Sequence, residues 1–212
     1  ASVVPLPERI PASRFKDFVT DPAGVARALR RPMPEKPYRA TRLGTRFHGW
    51  VEARYGASSP AELVDASAIE LDSEQQGDDL DLVELARLQG VFENSRWAAL
   101  RPVDVEIEIH LPFDGRIVIC KIDAVYASDD DRFEIVDWKT GKAPNGAQDL
   151  EEKQLQLALY RLAYARWKGI DPSQIDAVFY YVSDDAIIRP ERLFDEQQLL
   201  AAWRGATAPA DS

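Results

Sequence analysis

Lys121-Ile122-Asp123-Ala124-Val125 and Ile135-Val136-Asp137-Trp138-Lys139-Thr140-Gly141-Lys142 decide how this chain is read. Both are short apolar runs carrying an acid. The turn-forming Asp129-Asp130-Asp131 lies between them, so they read as neighbouring strands of a meander. Residues two apart on a strand share a face, which projects Asp137 and Lys139 together and turns Val136 and Trp138 into the packing. A charge in an apolar strand is costly unless it binds a cation or meets a partner. Asp123 therefore reads either as a strand-end aspartate paired with an arginine or as part of a site. The Asp137–Lys139 pair reads either as an exposed ion pair or as the rest of that site. Carboxylates gathered by a hairpin, with a lysine two residues after one of them, suit a divalent-metal hydrolase. Oxygen ligands select Mg²⁺ or Mn²⁺, and the lysine supplies a compact positive charge beside an attacking hydroxide. Gly141 lets the backbone turn away and leaves room for a substrate.

Upstream of these strands, Val103, Val105, Ile107 and Ile109 alternate with polar residues, which predicts a half-buried strand, and Asp114-Gly115 turns it into the strand 116–126. The third strand is expected over 132–139. Downstream, Pro144-Asn145-Gly146 begins a loop and a helix is expected from about Asp149 to Lys168. Two short strands (176–182 and 186–189) and a helix (195–203) close the chain. Before the strands come helices: Ser13 to Val19, 22–31, one opening at Gly44-Thr45 and ending near Gly56, and Leu80 to Phe92 with apolar spacing at Leu82, Leu85, Ala86, Leu88 and Phe92. Pro32, Pro34 and Pro37 predict an extended connector, and 57–79 an irregular acidic segment. The order gives an α+β fold, a mixed central sheet flanked by helices with a helical N-terminal layer. The expected divisions are a linker over 1–9 (the chain opening Ala1-Ser2 rather than at a methionine, as a piece of a longer protein would), a helical part over 10–100, an αβ core over 101–205 and a flexible tail over 206–212.

Composition limits the function classes. The 212 residues carry 26 Lys and Arg against 36 Asp and Glu, a net charge of −10, which argues against tight, independent binding to nucleic acid. The charge is uneven: Arg9, Arg14, Lys16, Arg27, Arg30, Arg31, Lys36, Arg39 and Arg42 make the first part basic, whereas 62–93 is acidic. No run is long enough to span a membrane and no signal peptide is expected. The single cysteine, Cys120, lies in an apolar strand and reads as a buried thiol; it cannot build a disulfide framework, a cysteine-ligated zinc site or an iron–sulfur cluster. Nothing reads G-x-x-x-x-G-K-[ST], so no bound nucleotide is expected.

Further polar residues stand out. Gln156 and Tyr160 are four apart on the long helix and share a face, while Leu155, Leu157, Leu159 and Leu162 make much of the rest apolar. A glutamine facing a core must be hydrogen-bonded. It reads either as a structural contact or as the group orienting a site carboxylate, water or phosphate. His48, in the first turns of its helix with Glu52 one turn on, reads as a packed or surface residue or as a metal ligand. Glu106 and Glu108 share one strand face, which reads either as a solvent face or as bringing one of the two toward the site, and His110, with no comparable case, reads as structural.

With these residues in place, Gly44-Thr45-Arg46-Phe47-His48-Gly49-Trp50-Val51-Glu52, Lys121-Ile122-Asp123, Val136-Asp137-Trp138-Lys139-Thr140-Gly141-Lys142 and Gln154-Leu155-Gln156-Leu157-Ala158-Leu159-Tyr160 resemble the ordered motifs of RecB-type nucleases of the PD-(D/E)XK superfamily. The resemblance runs from about Ile10 to Trp203. It is nearest to the C-terminal nuclease domain of actinobacterial UvrD/Rep-type helicases of the AdnA/AdnB kind, which process double-strand breaks. It implies that His48, Asp123, Asp137 and the Trp138 carbonyl bind Mg²⁺ or Mn²⁺, that Lys139 is catalytic, and that Gln156 and Tyr160 complete the site. Cys120-Lys121 stands where relatives often have Gly-Arg, and Lys121 keeps the charge. The implied partners are DNA, as single strand or duplex end, and the helicase motor of the same parent chain or complex, in the cytoplasm at the bacterial nucleoid and away from membranes. The expected activity is metal-dependent DNA hydrolysis, as an exonuclease. The alternative is a catalytically silent module of the same fold that grips DNA ends or a helicase.

Overall fold

The computed structural model describes residues 6–30, 39–56, 75–128, 130–144 and 146–207. In chain order its elements are β1 (Arg9–Pro11), α1 (Phe15–Thr20), α2 (Pro22–Arg30), α3 (Arg39–Arg54), α4 (Gln75–Glu93), β2 (Asp104–Phe113), β3 (Arg116–Ala127), β4 (Phe133–Lys139), α5 (Ala147–Lys168), β5 (Ile175–Tyr181), β6 (Ala186–Ile188) and α6 (Glu196–Thr207). Asp114 (φ 49°) and Gly115 (φ 73°) both take the left-handed backbone that a tight two-residue turn requires, which fixes Phe113 opposite Arg116 and sets the register of the β2–β3 hairpin. β4 returns antiparallel to β3, and β5 then joins β4 in parallel after the α5 crossover. The result is one mixed sheet in the order β1-β3-β4-β5-β6, with β2 also on β3. This is the expected mixed sheet flanked by helices.

β3 is the organising strand. β2 occupies one of its edges over 116–125. The other edge is divided: β1 pairs in parallel with Ile117–Ile119, and β4 pairs with Ala124–Ala127. Between them β3 has no ladder partner on that side among the described residues, and the fork opens at Asp123.

Each face of the sheet buries its own core. Under α5, α1 and α6 lie Val118, Cys120, Ile122, Val125, Ile135, Ala177 and Phe179, closed by Leu155, Leu159, Phe15 and Trp203. On the opposite face, Ala124, Tyr126, Val136, Trp138, Val178 and Tyr180 meet Phe47 and Val51 of α3 and Leu88 and Phe92 of α4. α5 ends at Gly169 (φ 68°), whose left-handed backbone lets the chain leave the helix without strain.

Several boundaries differ from expectation. α3 starts at Arg39, so His48 lies in its third turn rather than its first. α4 starts at Gln75, which makes 75–79 helical rather than irregular. Leu82, read as part of the apolar face of α4, is 54% exposed, and Leu88 and Phe92 carry the burial. Segment 6–11, taken as linker up to residue 9, lies along the sheet edge: Ile117 donates to the Glu8 carbonyl (2.9 Å), and Arg116 donates to the carbonyls of Leu6 (2.9 Å) and Pro7 (2.7 Å). The proline connector, residues 57–74 of the acidic segment, Ala1–Pro5 and the tail over 208–212 lie outside the described residues. No described helix is long and apolar enough to cross a membrane.

Candidate metal centre

The fork in the sheet is where the charged residues meet. Continuing the β3–β4 register would place Asp123 opposite Asp137, but the ladder stops one pair earlier. Asp123 Oδ2 instead accepts from the Trp138 backbone N–H at 2.7 Å. A side chain thus satisfies the amide that the ladder would have paired. Trp138 holds this geometry from behind. Its indole is 1% exposed and packs edge-on against Phe92 (5.3 Å), Trp97 (5.7 Å) and Tyr180 (5.9 Å). The two aspartates are 7% and 2% exposed, so each needs charge compensation.

Compensation comes from three elements. Lys139, on the same face of β4, brings Nζ to 2.6 Å from Asp137 Oδ2. Gln156 of α5 donates to Asp137 Oδ1 at 3.0 Å and to the Tyr160 hydroxyl at 2.8 Å. The shared helix face read from the sequence is the one turned to the site. His48 of α3 places Nδ1 3.4 Å from Asp123 Oδ1 and 3.3 Å from Glu106 Oε1. The structure therefore brings together His48, Asp123, Asp137, Lys139, Gln156 and Tyr160, with Trp138 as backbone donor.

Electrostatics follow from this burial. Desolvation pushes the Asp137 carboxyl up to about 6, Lys139 pulls it back, and Asp123 adds to the rise. Burial works against the Lys139 ammonium, but Asp137 and then Asp123 hold its pKa above the ordinary lysine value, so it stays charged. For His48, burial favours the neutral ring, yet Asp123 and then Glu106 outweigh it and raise the imidazole to about 10. The two carboxylates thus favour the protonated imidazole. Burial, with Asp137 and Asp123 beyond it, keeps the Tyr160 phenol protonated.

The donor set fits a hard divalent cation. Ligand atoms of His48, Glu106 and Asp123 all lie within 4.8 Å of one another, one nitrogen and two carboxylates of the type that take Mg²⁺ or Mn²⁺. Asp137, engaged by Lys139, is not among the three. Of the Glu106–Glu108 face, Glu106 is the residue that reaches the site, and counting back from the Asp114-Gly115 turn, which places it opposite Asp123, is the signal that singles it out. Its strand neighbour Glu108 does face solvent, pairing with His110 (2.6 Å) and Lys121 (3.6 Å). Cys120 is buried under α5 with Sγ 3.9 Å from the Leu159 carbonyl, a packing residue as expected.

Three comparisons bear on the chain. The family model described as the PD-(D/E)XK nuclease superfamily matches residues 22–208. No curated protein matches at a significant level. Among solved structures, a protein of Eubacterium rectale provisionally named an exonuclease is 13% identical, with 94% of this chain and 77% of that one covered and a TM-score of 0.57, a likeness of fold. A second, named SSO0001, is 14% identical over 99% of this chain and 80% of that one, with a TM-score of 0.44.

Proposed function

Because the chain belongs to the PD-(D/E)XK nuclease superfamily, we propose that it is a metal-dependent deoxyribonuclease, an exonuclease that hydrolyses the phosphodiester bonds of DNA fed to it by a helicase motor in double-strand-break repair. The observation that carries this reading is the convergence of Asp123, Asp137 and Lys139 at the fork, with Lys139 Nζ 2.6 Å from Asp137. In this reading His48, Asp123, Asp137 and the Trp138 carbonyl hold Mg²⁺ or Mn²⁺. The ion, when bound, polarises a phosphoryl oxygen and lowers the pKa of bound water. Lys139 is the residue that orients the attacking water and balances the charge developing on the phosphate. Gln156 keeps Asp137 pointed at the site from α5, and the Tyr160 hydroxyl holds the Gln156 amide in turn. Trp138, packed on the far face, fixes the strand that carries both Asp137 and Lys139.

The net charge of −10 suits an enzyme that receives its substrate from an attached motor at a bacterial nucleoid rather than capturing it by long-range attraction. A silent DNA-gripping module has no reason to keep two buried aspartates and a lysine at such cost, which weighs against that alternative.

The test is cleavage of end-labelled single- and double-stranded DNA with Mg²⁺ or Mn²⁺, with EDTA and Asp137→Ala as controls. The expected outcome is metal-dependent cutting, from ends, that both controls abolish. Absence of cutting together with absence of Mn²⁺ binding by calorimetry would favour the silent module.

A further inference from the structure

We propose that Glu106 is a metal ligand, and that the distortion of β2 at this residue exists to aim its carboxylate into the site. The proposal rests on the nuclease reading above and extends its ligand set by one residue. Glu106 is the third residue of a ten-residue strand, with ladder pairs on both sides of it, yet has φ 47°, a left-handed backbone that a non-glycine residue adopts only at a cost. Its partner by register is Asp123. The β2–β3 ladder is continuous from Asp104–Val125 to Phe113–Arg116 except at this one pair. The register is the same on both sides of the gap, so no residue is inserted.

What changes across the gap is the phase of the side chains. Ile107, Ile109, Leu111 and Phe113 pack under α5. Strict alternation would put Val105 on that side and Asp104 on the other. Instead Asp104 reaches α5, accepting from the Tyr164 hydroxyl at 2.7 Å and lying 3.1 Å from Lys168. β3 slips in step: Val118, Cys120 and Ile122 face α5, and so does Val125. Glu106 and Asp123 are the two residues at which both strands change phase. The slip brings Glu106 Oε1 to 3.3 Å from His48 Nδ1 and groups it with Asp123. An ordinary strand residue here would keep the ladder and leave one ligand fewer.

A salt bridge to His48 alone would not hold a strained strand, because partly exposed pairs contribute little; Glu106 and His48 side chains are 26% and 30% exposed. A cation shared with Asp123 supplies the missing stabilisation whenever it is bound.

The test titrates Mn²⁺ by calorimetry into the wild-type chain, Glu106→Gln and Glu106→Gly, with thermal melts in EDTA of these and of Glu106→Ala to show that each is folded. Glu106→Gln keeps the shape and removes the charge; its Mn²⁺ affinity is expected to fall about ten-fold or more. Glu106→Gly is expected to lose affinity similarly and to melt in EDTA above Glu106→Ala, the reverse of the usual order in a strand, because only glycine accepts this φ without strain. Wild-type affinity in Glu106→Gln overturns the proposal and leaves the nuclease reading standing. A wild-type chain that neither binds Mn²⁺ nor cuts DNA overturns both.

Discussion

Replacing Phe92 by alanine tests whether the aromatic layer behind the sheet supports the metal centre. Phe92 is fully buried, and its ring lies 5.3 Å from Trp138, 5.7 Å from Trp50 and 6.0 Å from Phe47, at interplanar angles of 83°, 88° and 71°. Truncating a buried phenylalanine costs about 3–5 kcal/mol in lost transfer energy and cavity, and three edge-on partners put this site toward the middle or top of that range, about 4 kcal/mol. For a chain of this size that lowers Tm by roughly 8–16 °C. Against a total stability of about 5–15 kcal/mol, the variant remains largely folded at room temperature. Urea unfolding followed by tryptophan fluorescence measures the loss, with exposed Leu82→Ala as a control expected within about 0.5 kcal/mol of wild type. Phe92 touches Phe47, the neighbour of His48, and Trp138, which lies between Asp137 and Lys139. The folded variant should therefore also bind Mn²⁺ more weakly. A loss below about 1.5 kcal/mol, or unaltered Mn²⁺ affinity after the full loss, would show that packing and site are independent and refute the reasoning.

Lys139→Met should reduce DNA cleavage by at least about 100-fold while Mn²⁺ still binds, because the ammonium balances charge and donates nothing to the metal; cutting at the wild-type rate would remove Lys139 from the mechanism. Gln156→Ala strips Asp137 Oδ1 of its amide donor, so Mn²⁺ affinity is expected to fall about 10–100-fold with little change in melting temperature. Affinity equal to wild type would reduce Gln156 to a packing contact. Burial pushes the Cys120 thiol up to about 12 from an ordinary value of 9.0, so the folded chain should resist iodoacetamide at pH 8 and react only on unfolding. The sign of the linked stability follows: between pH 9 and 12 the unfolded chain has lost the proton that the folded chain keeps, so stability falls as pH rises, by up to about 1.4 kcal/mol per unit. Cys120→Ala should flatten that part of the pH profile, and an identical slope in both proteins would place the titration elsewhere.

The sheet was legible where one face of a strand was apolar and turn chemistry was explicit. Asp114-Gly115 and the Asp-rich turn after Ala127 delimit β2, β3 and β4, and leucines around most of the circumference of α5 announce a helix buried against the sheet. The pairing of Asp137 with Lys139 followed from strand periodicity alone, and that of Gln156 with Tyr160 from helical spacing. β1 was not legible, because a three-residue strand that ends in a proline carries no period and is defined only by a partner more than a hundred residues away. The start of α3 was hidden because Gly44 read as a boundary, whereas in the folded chain it sits within the helix, where a Cβ would come 3.4 Å from the Thr140 hydroxyl. Which of Glu106 and Glu108 turns to the site was not legible, for a sharper reason. Alternation assigns a face to each strand residue, and a residue where the alternation slips has no face to assign.

The forked strand also sets the order in which the site can come together. Glu106, Asp123, Asp137 and Lys139 all belong to the meander over 104–139, joined by two short turns. His48 comes from α3, far upstream, and Gln156 from the crossover helix. Contacts close in sequence cost less loop-closure entropy and form sooner than distant ones. The acids therefore come together with Lys139 beside Asp137, and the imidazole arrives when α3 docks through Phe47 and Val51. If the centre holds a metal as proposed, a cation available during folding would relieve the repulsion among these carboxylates before the site is complete.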